Sequence, residues 1–223
     1  MDTAHKNWNA KQKDLRKLLS DPVSYPQAID LFLIQHAEVH SGTMSSAGGL
    51  SFEDEVINEM TNAQIREIPD GVDHSIAWIL WHLARIEDVT MNMLVAAKKQ
   101  VFERDNWSAK LNASLIHTGN ALSKSEIVQL SNNLDIDELR HYRVAVGRQT
   151  EDVVRQLDPA DIDQKVDSAR LELVVQERAV VEAAQVIIDY WSQRTIAGLL
   201  LMPPTRHCLI HLNEAAQIKK RMM

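Results

Sequence analysis

The chain has 223 residues, of which 45% are hydrophobic and 25% are charged, the proportions of an ordinary globular protein. Its formal net charge is −7, and acidic and basic residues are mixed along its length. This argues against nucleic acid as a partner, because phosphate binding needs a concentrated basic surface. The single cysteine, Cys208, excludes an intrachain disulfide and a cysteine-based zinc cluster.

The cellular location is predicted from two absent features. The N-terminal stretch "MDTAHKNWNAKQKDLRKLL" has neither the apolar core nor the small-residue cleavage site of a signal peptide. The longest apolar run, "TIAGLLLM", is much shorter than the about 20 residues that cross a bilayer. We therefore expect a cytoplasmic protein with no membrane partner.

The spacing of apolar residues, with only 7 glycines and 6 prolines, predicts an all-α protein. A first helix is predicted over residues 2–19, and a second over "PQAIDLFLIQHAEVHSGTMS", which begins at Pro26. The segment "IPDGVDHSIAWILWHLARIEDVTMNMLVAAKK" has the clearest helical period, with Asp73 as its predicted N-cap. A long polar connection, "QVFERDNWSAKLNASLIHTGNALSK", precedes the helix "DIDELRHYRVAVGRQTEDVVRQL". Pro203 and Pro204 then start the final helix.

Four long amphipathic helices with one long connection favour a single four-helix-bundle domain over residues 1–223. Residues 1–20 are predicted to form an N-terminal helix or arm, and residues 26–223 the bundle core. The N-terminal helix would expose Trp8 and Leu15 unless something covers them. It therefore either caps the bundle or joins a homodimer, which is the commonest soluble assembly.

The segment "MPPTRHCLIHLNEA" places His207 and His211 four residues apart on the final helix. Two imidazoles at this spacing can reach one ion. A third ligand must come from elsewhere, and His82, within the apolar stripe of another long helix, is the best-placed candidate. Three histidines with an open position are typical of a catalytic zinc site. Taken alone, however, the position of His82 favours a core histidine that a buried carboxylate or carbonyl satisfies.

A second pair with the same spacing, His36 and His40, lies on the inward stripe of the second predicted helix. Periodicity does not choose between the two pairs. Either pair can bind an ion, or the first can support the site or be plain core. The remaining histidines near helix ends, such as His74, are interpreted as solvated.

The helical angle between each neighbouring polar residue and the histidines predicts the role of that residue. Glu87 and Asp88 point away from the face of His82 and are predicted to form a solvated edge. Cys208 is rotated away from the ligand direction and is interpreted as a small core residue. Glu214 shares a side with His207 and His211, so it either orients an imidazole or forms a surface ion pair.

The segments "IAWILWHLARIED" and "RHCLIHLNEAAQIKK", in this order, resemble the DinB/YfiT-like superfamily. The resemblance implies a four-helix bundle of that type, here with additional N-terminal and connecting helices, and a metal site formed by His82, His207 and His211. It covers most of the chain from about Pro26 onward, but poorly covers the first 20 or so residues and the insertion over residues 158–191. Many members continue the final motif as H-x-x-x-H-R-G-Q, whereas here Leu-Asn-Glu follows the second histidine.

The resemblance also implies a function. We expect a divalent transition metal, zinc or nickel first, that activates a thiol or water for transfer or hydrolysis on a small molecule. Such an enzyme would be a metal-dependent thiol S-transferase or a hydrolase, with a low-molecular-weight thiol as a partner. The sequence identifies no catalytic side chain and no protein general base. The alternative is a non-enzymatic, stress-related bundle that binds metal or ligand, and an open cavity beside the three histidines would favour the enzyme.

Overall fold

The computed structural model describes residues 3–45, 49 and 51–222. Over these residues the chain is helical, and its only β pairing is an isolated bridge between Lys165 and Thr195. None of the described helices combines the length and the hydropathy needed to cross a bilayer. The α-helices, in chain order, are α1 Thr3–Leu19, α2 Tyr25–Glu38, α3 Phe52–Ile57, α4 Asn62–Arg66, α5 Ile76–Asp88, α6 Val101–Arg104, α7 Trp107–Lys110, α8 Lys124–Asn133, α9 Ile136–Gln156, α10 Ser168–Gln176, α11 Gln185–Ser192, α12 Ile196–Leu200 and α13 Cys208–Met222.

The bundle is formed by α2, α5, α9 and α13, which confirms the predicted all-α four-helix-bundle class. Helix α5 packs against both α9 and α13, and it continues into a π-helical segment, Val89–Val95. One apolar cluster fills the space between α5, α9 and α13 and includes Trp81 and Leu212. A second cluster surrounds the π-helical segment and includes Phe32 and Trp191. The two clusters place α5 at the centre of the molecule, where every one of its residues is buried.

Helix α1 caps the bundle by packing along α2. Trp8 and Leu15, which the sequence left either covered or in a dimer, are both buried within this chain. The Gln35 side-chain amide donates to the Trp8 carbonyl at 3.0 Å. The described part of this helix begins at Thr3, and residue 2 of the predicted span lies outside the described residues. The homodimer stays a prediction.

Two helix boundaries differ from the predicted ones. The N-cap of α5 is Ser75 rather than Asp73, since the Ser75 hydroxyl accepts the Trp78 N–H at 3.0 Å. Helix α2 ends at Glu38, although its apolar stripe was predicted to continue through His40 to Met44. The His40 carbonyl accepts the Ser51 hydroxyl at 2.6 Å instead of a helical N–H. A contact with a distant segment therefore ends this helix.

The predicted polar connection over residues 100–124 is not irregular throughout, since it contains α6 and α7. It covers α5, and its backbone carbonyls accept hydrogen bonds from that helix. The carbonyl of Ile116 accepts from Arg85 at 2.7 Å and that of His117 accepts from Trp81 at 3.3 Å. This explains why α5 has no solvated face.

Pro203 and Pro204 do not restart a helix. They lie in a π-helical segment, Met202–His207, that follows α12 and leads directly into α13. Proline has no N–H to donate, so carbonyls in this turn need other partners. The Thr205 hydroxyl donates to the Leu200 carbonyl at 2.9 Å, and the Gln12 amide donates to the Leu201 carbonyl at 2.8 Å. The end of this segment carries His207.

Candidate metal centre

The structure brings His82, His207 and His211 together between α5 and α13. One nitrogen of each lies within 4.8 Å of those of the other two. The ring centroids are 5.0 Å apart for His82 and His207, 5.2 Å for His82 and His211, and 4.7 Å for His207 and His211. Three histidines predicted from distant parts of the sequence therefore converge on one point.

The proton position on His82 follows from its backbone contact. The Nδ1 atom of His82 lies 2.8 Å from the carbonyl oxygen of Thr118, which can only accept. Nδ1 therefore carries the proton, and the lone pair of the ring is on Nε2. That atom lies 3.2 Å from Nε2 of His207. The covering connection thus aims a potential ligand atom of His82 at the centre of the cluster.

His211 is oriented by a carboxylate. Its Nδ1 donates to Oε2 of Glu214 at 2.8 Å, which leaves the Nε2 lone pair free. The other carboxylate oxygen of Glu214 lies 2.7 Å from Nε2 of His74. Glu214 therefore orients an imidazole, which decides between the two roles that the sequence left open. His74 is not simply solvated, since its ring centroid also lies 4.4 Å from that of Trp78.

Two histidines of this cluster, His82 and His207, are neutral at neutral pH. Burial lowers the pKa of His82 to about 3, and the neighbouring His211 lowers it further, against the effect of the Thr118 hydrogen bond. Burial and the proximity of His82 also hold the pKa of His207 well below its usual range. Neutral imidazole is the form that coordinates a metal. His82 and His207 can therefore bind a transition-metal ion without first losing a proton.

His207 has unsatisfied polar atoms. Its Nδ1 is buried without a hydrogen-bond partner among the described residues. Its Nε2 faces Nε2 of His82, which already presents a lone pair. A neutral His207 with its proton on Nε2 donates to that lone pair, and its Nδ1 then stays unsatisfied. An ion at the cluster would instead bind the Nε2 lone pairs of both rings, with the His207 proton on Nδ1.

An apolar cavity of ≈ 220 Å³ opens beside His207. Its walls include Ile86, Trp191 and Pro203, and Asn120 and Tyr190 add polar groups. The Trp78 ring stacks on His82 with centroids 4.9 Å apart and planes 6° apart. Trp78 therefore covers His82, while the cavity reaches the cluster at His207.

His36 and His40, the second pair of the sequence, converge on Glu87. Their Nε2 atoms lie 2.7 Å and 2.9 Å from the two carboxylate oxygens, and all three side chains are buried. Burial alone would raise the pKa of Glu87, but His40 and His36 hold it well below its usual range. The predicted solvated edge is wrong for Glu87, and also for Asp88, which accepts the Tyr142 hydroxyl at 2.6 Å. The connection over residues 100–124 covers Asp88, which accepts the Val101 N–H at 2.8 Å, whereas the two histidines cover Glu87.

The two histidine clusters differ in how well their atoms are satisfied. By geometry, His36, His40 and Glu87 can also hold an ion. Glu87, however, already accepts from both imidazoles. Cys208 lies between the clusters, with Sγ 3.4 Å from the Pro203 carbonyl and 4.0 Å from Glu87. Burial, then the Glu87 carboxylate, raises the pKa of this thiol, so Cys208 is a protonated, buried core residue as predicted.

Sequence spacing and resemblance located the three histidines, but not Thr118. Its contribution is a backbone carbonyl, which no side-chain pattern reveals. Glu87 was missed for a different reason, because its angle on α5 was judged as if only one face were buried. A charged residue inside a helix of almost continuous apolar residues, "IAWILWHLARIED", is the signal that could have found it.

Comparison with known proteins agrees with this architecture. The family model described as the DinB superfamily matches residues 54–202, which is more than half of the chain. The match includes His82 and Glu87 and ends before His207 and His211. It also spans residues 158–191, where the resemblance was expected to be weak. No curated protein matches the chain. The chain belongs to the DinB superfamily.

Proposed function

We propose that His82, His207 and His211 bind a divalent transition metal, and that the protein is an enzyme acting on a small molecule. The observation that carries this proposal is the direction of the nitrogen lone pairs. The Thr118 carbonyl and the Glu214 carboxylate each accept a hydrogen bond from Nδ1–H, which leaves the Nε2 lone pairs of His82 and His211 available. Such acceptors are the usual outer partners of metal-binding histidines.

Three imidazoles suit zinc or nickel among the divalent transition metals. When bound, such an ion supplies a Lewis acid that lowers the pKa of a thiol or of water and so prepares a nucleophile near neutral pH. The reaction class we propose is therefore thiol S-transfer or hydrolysis. A low-molecular-weight thiol is the proposed co-substrate.

The cavity beside His207 supports an enzyme over a purely structural bundle. A metal cluster closed on every side would only stabilise the fold, whereas this one is reached by a cavity of ≈ 220 Å³. No aspartate, glutamate or lysine is among the described residues that line it. Its walls therefore bind and orient a substrate and exclude water, rather than act as a general base.

Metal content tests the proposal directly. We expect about one equivalent of zinc or nickel in tag-free wild-type protein, and its loss in both His82→Ala and His207→Ala. Cys208→Ala is the matched control, because it changes the neighbour of His207 without removing a proposed ligand. Circular dichroism checks that each variant is folded.

The same measurement on His36→Ala decides between the two clusters. If His36→Ala keeps one equivalent of metal and His82→Ala loses it, the assignment of the metal to His82, His207 and His211 is supported. The reverse result would move the metal to His36, His40 and Glu87. If no sample binds metal, even after incubation with zinc or nickel, the protein is a non-enzymatic bundle, and the proposal is wrong.

A further inference from the structure

A basic cleft lies between α1 and the segment from Tyr190 to Arg206. Its volume is ≈ 610 Å³, and its lining contains four basic side chains and no acidic one. This concentration of positive charge is unexpected in a chain whose net charge is −7. The four basic residues are Lys13 and Arg16 of α1, Arg194 before α12, and Arg206 of the π-helical segment.

The charges of this cleft are not compensated within the protein. None of the four forms an ion pair with a carboxylate that the structure describes. By contrast, the buried Arg143 lies 2.6 Å from Glu53. A guanidinium group held without a carboxylate is available to an anion from solution.

Two of the arginines are nevertheless held in place. The guanidinium of Arg194 lies 4.1 Å from the centroid of the Tyr190 ring, and its Nε is buried without a hydrogen-bond partner among the described residues. Arg206 donates to the side chain of Asn9. Ordered cations with an unsatisfied buried N–H are typical of a built anion site, since less side-chain entropy is lost on binding.

The cleft adjoins the cavity of the metal centre. Tyr190 and Met202 line both the basic cleft and the apolar cavity that reaches His207. A molecule held by its anionic groups at Arg194 and Lys13 can therefore extend an apolar part past Tyr190 and Met202. The cavity has room for a group the size of one aromatic ring.

We propose that the basic cleft binds the anionic groups of the substrate, and that the apolar part of the same molecule enters the cavity beside His207. The substrate class is a small molecule with at least two negative charges, carried by carboxylates or by a phosphate. The word substrate here rests on the proposed function, but the anion site itself does not.

Isothermal titration calorimetry of the full-length protein at low ionic strength tests the cleft with two matched pairs of probes. Inorganic phosphate and phenyl phosphate form one pair, and succinate and phenylsuccinate the other. We expect the phenyl member of the accepted pair to bind more tightly than its parent, because its ring buries apolar surface. The pair that binds identifies phosphate or carboxylate as the preferred anion.

Substitutions locate the binding. Arg194→Gln and Lys13→Gln are each expected to weaken both members of the pair about tenfold, by removing a charged hydrogen bond. Lys6→Gln removes the same charge from an exposed residue of α1 that does not line the cleft, and should change affinity by less than about twofold. Ile187→Trp fills the cavity and should remove only the advantage of the phenyl probes.

Three outcomes would overturn the inference: binding of none of the four probes, equal binding in Arg194→Gln and Lys13→Gln, or no gain from the phenyl group. Zinc content measured on the same samples separates this inference from the proposed function. Zinc without anion binding contradicts the cleft alone. Anion binding without zinc retains the cleft and contradicts the metal centre.

Discussion

At the scale of single residues, the contact between the Glu214 carboxylate and His211 is expected to set the affinity of the proposed metal site. Its Oε2 accepts a hydrogen bond from Nδ1 of His211 at 2.8 Å, and its Oε1 lies 2.7 Å from Nε2 of His74. Glu214→Ala leaves the proposed ligands in place but removes this acceptor. We expect zinc affinity to fall about 10- to 100-fold, as is usual for outer partners of ligating histidines. Competition with a chromophoric chelator measures the change.

The control for this prediction is Glu172→Ala, which removes an exposed glutamate from α10. Its zinc affinity should match that of the wild type. Unchanged affinity in Glu214→Ala would show that the contact with His211 is only a surface ion pair.

A second residue-scale prediction concerns His40. Burial lowers its pKa from 6.5 to about 4, although Glu87 acts in the opposite direction and His36 and Arg143 add to the lowering. Between these pH values the unfolded chain binds a proton here that the folded protein does not. The free energy of unfolding therefore falls as the pH decreases through this window, by up to about 1.4 kcal/mol per pH unit for one such group.

His40→Asn removes this group and should make the pH dependence of stability shallower by about 1 kcal/mol per pH unit. Urea unfolding of metal-free protein at several pH values from about 7 to about 5 measures the slopes. The range stays above the titration of Glu87, whose pKa is held well below 4.5. Parallel slopes in the two proteins would mean that His40 is protonated in the folded state.

At the scale of helices, Gly147 allows α9 to approach the turn after α2. A Cβ atom at this position would lie 2.8 Å from Cγ of Met44 and 3.0 Å from Nδ1 of His40. The gain in helix propensity from alanine, about 1 kcal/mol, is therefore outweighed by overpacking. We expect Gly147→Ala to lower the free energy of unfolding by about 1–3 kcal/mol in urea titrations.

Gly198→Ala is the matched control, since its Cβ would meet only Arg194 and Thr195 atoms at 3.5 Å or more. This variant should be as stable as the wild type or slightly more stable. If both substitutions stabilise the protein, the turn that carries His40 is freer to move than its contacts indicate.

The same scale shows what could be predicted from sequence. The helices α9 and α13 follow from apolar periodicity, because packing against neighbours selects one face of each, and α5 follows from its nearly continuous run of apolar residues. The end of α2 and the π-helical turn at Pro203 do not, because side chains from distant segments decide them. The Ser51 hydroxyl donates to the His40 carbonyl in place of a helical N–H, and the Gln12 amide does the same for the Leu201 carbonyl. Periodicity within one segment contains no information about such partners.

For the site, the spacing of His207 and His211 was enough to propose a chelate, but His82 needed the family resemblance as well. The role of Thr118 depends on how residues 100–124, a polar segment with little periodic pattern, cover α5. The role of Glu87 depends on its contacts with His36 and His40, which are distant in sequence. The convergence of the three histidines was therefore predictable, whereas the groups that orient and surround them were not.

At the scale of the whole molecule, the proposed metal centre joins the two halves of the sequence. His82 lies on the central helix α5, while His207 and His211 lie near the C-terminus, and α1 is tied to the same turn through Gln12. An ion bound by all three histidines is bound only by the folded chain. Metal binding and global stability are therefore linked.

We expect zinc at about 100 times its dissociation constant to raise the free energy of unfolding by about 2.7 kcal/mol. For a chain of this size the melting temperature should rise by about 5–11 °C, as differential scanning calorimetry would show. Cys208→Ala should keep the whole increase and His207→Ala should lose it. An undiminished increase in His207→Ala would mean that zinc stabilises the fold from another site. The cluster of His36, His40 and Glu87 would then be the first candidate, because it too connects α5 with a distant helix.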